Sequence, residues 1–235
     1  MESLFIITSA IYTSYGNIST KDRIEQTKET IESIKKYAPN SKIVLLECGE
    51  RSLDENLFDC KIIDYANNLK IKSHRLEYLR SSKDVRPEII LKSMLEILIT
   101  NDYLKSIHNN PYERIFKLCG RYKLNSKFNF KTHLLSKNKM IILKPTVSQH
   151  LYRNEKASSI LTCSTRFFSF DCKLLNVIIE MYDKMEQEIL FLSKFDDQVD
   201  IEHLFYKHLN KKIVNFINKI GIDGYWSPEK YFIEE

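Results

Sequence analysis

The segment Arg114-Ile-Phe-Lys-Leu-Cys-Gly-Arg-Tyr-Lys-Leu124 has the apolar run of a buried strand with cations set inside it. Ile115, Phe116, Leu118 and Cys119 supply the run; Lys117, Gly120 and Arg121 interrupt it. Side chains on a strand alternate between faces, which puts Lys117, Cys119 and Arg121 on one face. A charge on a buried strand needs an ion partner or a charged ligand, because desolvating it alone costs too much. In open α/β sheets, ligands bind outside the carboxyl ends of the strands, and Gly120-Arg121-Tyr122 falls where this strand ends. The segment therefore reads either as an anion site or as a structural pair between a cation and a carboxylate.

The acid candidates lie near the C-terminus, in Asp200-Ile-Glu202-His203. Glu202 sits at a helix start, where the helix dipole favours the ionised form, and an ionised carboxylate accepts a proton at neutral pH. Asp200 is its rival as a base and is equally suited to cap the helix. Three further cations stand out. Arg23 occupies the first turn of the first helix, where a cation opposes the dipole; it serves a ligand or pairs in solvent with Glu25 or Glu29. Lys92 lies in an apolar helix, four residues before Glu96, at ion-pair spacing. Arg166 opens a strand. His203 and His208 are five apart, off a common metal-binding face, and no His-Glu-x-x-His motif occurs.

The elements that hold these residues follow from apolar periodicity. Residues 4–11 read as a buried first strand and 13–20 as a polar loop. A helix from Ser19 or Thr20 to Tyr37 turns Ile24, Thr27, Ile31 and Ile34 inward, and Pro39-Asn40 ends it. Strands are expected at 42–47, 60–64, 114–119, 140–143 and 166–170. Residues 67–85 are polar with few apolar anchors and read as a mobile loop. Asp84 and Pro87 then start a helix carrying Ile90, Leu91, Met94, Leu95, Leu98 and Ile99. Helices follow at 172–193 and 200–209, and the aromatic tail from Ile220 reads as looped. Alternating strands and helices predict an α/β fold: one domain over residues 1–235, a Rossmann-like, mainly parallel mixed sheet with helices on both faces, and a tail at 220–235.

Composition narrows the function. The net charge of +5 comes from Lys and Arg scattered among Asp and Glu, which is too weak and too dispersed for a general nucleic-acid surface. It suffices for a local pocket that takes a phosphorylated metabolite. The five cysteines form no Cys-x-x-Cys pair, so neither a zinc site nor a disulfide framework is indicated. No apolar run is long enough to span a membrane, and the first strand lacks the basic flank of a signal peptide, so a cytoplasmic protein is expected. Glycine fingerprints for dinucleotides, phosphate-binding lysine loops and nucleophile elbows are all missing, against an oxidoreductase, a P-loop ATPase or a serine hydrolase.

Several pieces resemble a known group. Ser9-Ala-Ile11, Arg23-Ile-Glu-Gln-Thr27, Thr30-Ile-Glu-Ser-Ile34 and Ala38-Pro-Asn-Ser-Lys-Ile-Val-Leu-Leu-Glu47 look like the opening of a nucleotide-sugar-dependent glycosyltransferase of GT-A fold, of the small viral and bacterial glycan-assembly type. The likeness continues through Lys92-Ser93, Glu96 and residues 117–124, and ends at Ile201-Glu-His-Leu-Phe-Tyr206. It implies a nucleotide-sugar donor, a UDP-sugar first, and a glycan acceptor, with transfer by direct, inverting displacement. Ser9, Ala10, Ile11 and Arg23 then face the nucleotide. Lys92, Lys117, Arg121 and Arg166 lie near the donor diphosphate, and Glu202 or Asp200 acts as base. Tyr152, Tyr225 and Trp226 could stack on sugar rings or simply pack.

The departure concerns metal. GT-A enzymes usually hold Mn2+ or Mg2+ on an Asp-x-Asp motif beside the diphosphate, whereas the matching place here reads Gly120-Arg121-Tyr122-Lys123. Either cations replace the metal, or Asp64 or Asp196-Asp197 binds it. Loss of the motif also keeps open a catalytically degenerate domain that binds a glycan or a protein. A nucleotidyltransferase needs the same kind of nucleotide-binding sheet and is the other alternative.

Overall fold

The computed structural model describes residues 2–81, 88–107, 112–148, 161–195, 199–226 and 231–235. The first strand β1 (Glu2–Ser9) is followed by helix α1 (Thr20–Tyr37), strands β2 (Lys42–Glu47) and β3 (Lys61–Asp64), and helices α2 (Leu69–Ser81) and α3 (Glu88–Ser106). Next come β4 (Tyr112–Cys119), β5 (Tyr122–Leu124), α4 (Phe130–Leu135), β6 (Met140–Leu143), β7 (Thr146–Val147), β8 (Leu161–Thr162) and β9 (Phe167–Asp171). The chain continues with α5 (Leu175–Leu192), α6 (Ile201–His208), β10 (Val214–Ile217), β11 (Ile222–Trp226) and β12 (Tyr231–Glu234).

Seven strands form the central sheet in the order β10-β6-β9-β4-β1-β2-β3. β1 runs parallel to β2 and to β4, β2 to β3, and β10 to β6; β9 is antiparallel to both its neighbours. The predicted mainly parallel mixed sheet is what forms. Alternation along β1 builds its two faces. Phe5 and Ile7 pack with Ile31 and Ile34 of α1 on one side, while Leu4 and Ile6 join the larger core under α3, α5 and α6 on the other. α1 begins where Ser19 accepts a hydrogen bond from Asp22 N at 3.1 Å, an N-cap that satisfies an otherwise free helix donor.

Two expectations are corrected. Residues 67–85 do not form a loop throughout: 69–81 are the helix α2. Ile71 and Tyr78, two turns apart, are its buried anchors against the large core, and Leu69 and Leu76 remain exposed. With so few inward apolar positions the periodic signal is weak, and tertiary packing supplies the stability that propensity does not. The tail from Ile220 is likewise not looped. β11 and β12 pair antiparallel, and β11 also pairs with β5. Asp84 and Pro87 lie outside the described residues, so α3 is described from Glu88 onward.

Candidate functional site

The strand order fixes where a ligand can sit. From β1 the chain moves through α1 to β2 on one side, and later returns to β4 on the other. The chain connections therefore part between the neighbouring carboxyl ends of β1 and β4, the switch point where α/β sheets bind ligands. A cavity of about 130 Å3 opens there. The β1 end gives it Thr8, Ser9, Ala10 and Ile11; the β2 end gives Cys48, Gly49 and Glu50; the β4 end gives Cys119, Gly120 and Arg121. Helices close it with Arg23 and Thr27 of α1, Arg75 of α2, and Lys92 and Glu96 of α3. Its wall thus carries four cations, Arg23, Arg75, Lys92 and Arg121, against two carboxylates, Glu50 and Glu96. That balance favours an anionic ligand.

Close backbone approach makes the crevice. Gly120 N donates to Thr8 O at 2.9 Å, and Thr27 Oγ1 donates to Gly120 O at 3.1 Å. A side chain at Gly49 would meet Glu47 Oε1 at 2.6 Å and Tyr12 O at 2.8 Å, so only glycine fits there. Glu47, fully buried at the end of β2, accepts from Ile11 N and Gly49 N, each at 2.8 Å. It ties the β1 and β2 loops together beneath the cavity. Burial pushes its carboxyl up to about 7, while the Ile11 and Gly49 N–H groups and the Ser9 hydroxyl pull the other way. Arg75 holds the same loop through the carbonyls of Gly49, at 3.0 Å, and Cys48.

Arg23 is not a solvent-exposed partner of Glu25 or Glu29. It is buried, and its guanidinium donates to the carbonyls of Ile18, Ala10 and Tyr15 at 3.1, 3.2 and 3.0 Å. It therefore shapes the loop after β1 while lining the cavity. Burial lowers its pKa, Arg121 adds to the lowering, and Glu47 opposes both. Two guanidinium groups close enough to repel are an arrangement that a bound anion relieves.

The remaining sequence candidates do not line this cavity. Lys117 is buried under Cys119. Its Nζ ion-pairs with Glu96, donates to Thr165 O at 2.8 Å and lies 3.1 Å from Cys119 Sγ. Burial disfavours its charge, but Cys119 and Glu96 outweigh that and raise the pKa, so it stays an ammonium. Lys117 and Cys119 do share a face, yet the charge of Lys117 goes to Glu96 and its side chain does not line the cavity. Glu96 also faces Thr8, whose Oγ1 lies 3.4 Å from its Oε1. Thr165 links onward, its Oγ1 lying 3.4 Å from Glu202 Oε1. Arg166 ion-pairs with Glu235 and stands over the Tyr122 ring at 5.6 Å.

The dipole argument for Glu202 is overridden by burial. Desolvation first, then Asp200, raise its pKa, with Glu96 adding and Arg166 opposing. Asp200 is the cap of α6: its Oδ1 accepts from His203 N at 2.9 Å and lies 2.6 Å from His203 Nδ1. Ser9, Ala10, Ile11, Arg23, Lys92 and Arg121 therefore meet at one cavity, while Lys117, Arg166, Glu202 and Asp200 do not line it; Glu96 joins Lys117 to it, and Thr165 joins Lys117 to Glu202. Sequence reasoning missed Glu50 and Arg75 on the cavity wall and Glu47 beneath it. Glu47 was visible as an acid ending an apolar strand; Arg75 was hidden in the segment read as a loop.

Among the described residues no group of three or more His, Cys, Asp or Glu could hold a metal ion. At the end of β4, where GT-A enzymes coordinate one, the chain presents Cys119 and Arg121. Asp64 is engaged locally, accepting from Leu53 N at 3.0 Å and Ala66 N at 2.7 Å. Asp196 and Asp197 lie outside the described residues, as does Tyr152. The described donor set does not fit a divalent ion. No helix among the described residues is long and apolar enough to cross a membrane.

No family model matches the chain, and no match among curated proteins is found by sequence. Among solved structures the chain is similar to the Mn/GDP form of core-mannan synthase A (CmsA/Ktr4) from Aspergillus fumigatus. That structure is 9% identical, with 98% of this chain and 75% of that chain covered, at a TM-score of 0.57. A second structure, 4-diphosphocytidyl-2C-methyl-D-erythritol synthase from Anaerococcus prevotii, is 16% identical, with 92% and 86% covered, at a TM-score of 0.44. The first likeness shows a GT-A-like fold.

Proposed function

We propose that this chain is a glycosyltransferase that moves a sugar from a nucleoside diphosphate sugar, a UDP-sugar first, to a hydroxyl of a glycan. The observation that carries the reading is the cation-rich cavity at the β1/β4 switch point, in a fold shared with a mannan synthase whose structure holds GDP. The nucleoside lies along the backbone of Ser9, Ala10 and Ile11. Arg23 and Arg121, with Lys92 at the rim, take the diphosphate charge. Arg121 stands where a carboxylate-bound ion would otherwise do so. Fixed positive charge aimed at a leaving diphosphate stabilises the transition state in which that charge develops.

The transfer is a direct displacement. The acceptor oxygen bonds to the anomeric carbon as the bond from that carbon to the diphosphate oxygen breaks. The diphosphate leaves with the electron pair, and the acceptor proton passes to Glu202. A carboxylate whose proton affinity burial has raised is better matched to this task near neutral pH than an ordinary one. The anomeric configuration inverts.

Ligands that bind the native state raise its melting temperature. Melting curves with UDP, GDP, CDP and their sugar conjugates, each with and without Mn2+, test the reading. At least one nucleotide is expected to stabilise the protein, with hydrolysis of the matching sugar nucleotide on longer incubation. No shift with any of them at millimolar concentration overturns it. Metal-dependent binding without sugar release would favour a nucleotidyltransferase, and metal-independent binding without release a non-catalytic module.

A further inference from the structure

A second concavity, of about 320 Å3, lies between the outer face of α1 and the β11–β12 hairpin, and Arg121 lines both it and the first cavity. On the hairpin, Tyr225 and Phe232 are directly paired across the strands. Their rings meet edge to face with centroids 5.5 Å apart, and the residues are 50% and 57% exposed. Side by side on the strand pair, the two rings offer one contiguous apolar surface, the kind that marks a binding groove where polar residues rim it.

The opposite wall is polar and consists mostly of acceptors. Asp22, Glu25 and Glu29 of α1 line it, with Asp223 on the hairpin. The cations are Arg121 and Lys123, and Lys123 Nζ already pairs with Glu29 at 2.9 Å. Two lining residues carry a buried oxygen with no hydrogen-bond partner, Gln26 Oε1 and Asp223 Oδ1. Both atoms are shut off from solvent, so the groove's open acceptors are the exposed carboxylates of Asp22 and Glu25. An aromatic platform facing acceptor side chains suits a pyranose: its C–H face lies on the rings while its hydroxyls donate to the carboxylates.

We propose that this groove binds the remote sugar units of a neutral glycan acceptor, with Arg121 as the partition between the acceptor groove and the donor cavity. The inference rests on the glycosyltransferase reading for what the glycan is used for. The binding site itself stands on the groove. Tyr225 and Phe232 stack on the sugar, and the exposed carboxylates of Asp22 and Glu25 accept from its hydroxyls. The groove holds units distant from the reacting hydroxyl, so it selects acceptor length and identity and takes no part in the displacement.

The test is saturation-transfer NMR on the full chain with maltotetraose, mannotetraose and chitotetraose at millimolar concentration, beside Tyr225→Ala and Phe232→Ala. Both residues are exposed, and melting curves establish that each variant folds. At least one tetrasaccharide is expected to bind, each variant weakening it about tenfold, the scale of one lost aromatic contact. Nucleoside diphosphate binding, measured on the same samples, is expected to be unchanged. If nucleotide binds and no tetrasaccharide does, or if both variants bind sugar as the parent does, the groove proposal falls alone. If sugar binds in the groove and no nucleotide binds, the glycosyltransferase reading falls and the groove stands. Spermidine binding that Tyr225→Ala abolishes and salt weakens, with no sugar binding, overturns the carbohydrate assignment.

Discussion

The ammonium of Lys117 contacts the carboxylate of Glu96 from inside the sheet, so a residue that reads as a ligand cation in sequence is the support of a cavity acid. The two differ in setting: Lys117 is 1% exposed at its side chain and Glu96 22%. Lys117 is therefore committed to protein partners, and Glu96 presents one edge to the cavity. Through Thr165 the same ammonium connects the β1/β4 cavity to Glu202.

Removing one partner of a buried pair leaves an uncompensated charge, which costs more than the pair itself is worth. Lys117→Met should destabilise the fold by about 3 kcal/mol, read by urea denaturation. The double variant Lys117→Met with Glu96→Gln should recover part of that loss, since it leaves no charge stranded. Equal stability of the single and double variants would show that Glu96 is solvated well enough to need no partner.

Arg121 sits differently, at the cavity wall and partly exposed. Arg121→Ala should weaken nucleoside diphosphate binding by roughly 1–3 kcal/mol, the range for hydrogen bonds to charged groups. Stability should be nearly unchanged. Calorimetry and melting curves on one preparation separate the two effects. A variant that melts early and yet binds normally would mark Arg121 as a structural cation.

The sheet was legible because β1, β2, β4, β6 and β9 are apolar runs whose burial overrides everything else in their sequence. The β2 and β6 bounds fall at 42–47 and 140–143 as expected. Elements with one or two buried anchors were not legible. α2 is held by Ile71 and Tyr78, and β5 and β11 by pairing that depends on Gly224 passing Arg121 O, where a Cβ would come within 2.5 Å. Such elements exist because of tertiary contacts, and a local pattern carries no record of those. The site divided along the same line. Ser9, Ala10, Ile11, Arg23, Lys92 and Arg121 were grouped by the resemblance to GT-A glycosyltransferases, and they line one cavity. That Lys117 points to Glu96 depends on how α3 crosses the sheet, which spacing does not fix.

Glu47 gives a pH dependence of definite sign. Its native pKa is raised to about 7 from the usual carboxylate value near 4.5. The native state therefore holds a proton that the unfolded chain releases, and its contribution to stability is full below about pH 4.5 and is lost as pH rises through about 7. Glu47→Gln keeps an acceptor for Ile11 N and Gly49 N and cannot ionise. It should match the parent at pH 4 to 5 and exceed it by roughly 2–3 kcal/mol near pH 8, since each pKa unit is worth about 1.4 kcal/mol. The difference between the two proteins cancels other titrating groups. Parallel stability curves would show that folding leaves the Glu47 pKa unchanged.

Glu202 gives the sharpest test of mechanism. Burial and Asp200 raise its pKa above the ordinary carboxylate range, and only the ionised form can accept the acceptor proton. The rate should therefore climb with pH along a limb placed well above the ordinary carboxylate range. Glu202→Gln keeps size and hydrogen bonding but takes no proton. It should leave donor binding nearly unchanged, cut turnover about 100-fold or more and abolish that limb. Asp200→Asn is the control, because the Asp200 carboxylate is occupied with His203 and the α6 cap. It should cost at most about 1 kcal/mol of stability, as for a weakened N-cap, and lower the limb by removing a like charge beside Glu202. Steady-state rates from pH 5 to 9, with donor hydrolysis as the readout until an acceptor is in hand, decide among the outcomes. An inactive Asp200→Asn beside an active Glu202→Gln moves the base to Asp200. Full activity in both places the proton acceptor outside α6, with Glu96 and Glu50 the next carboxylates to examine, because both line the β1/β4 cavity.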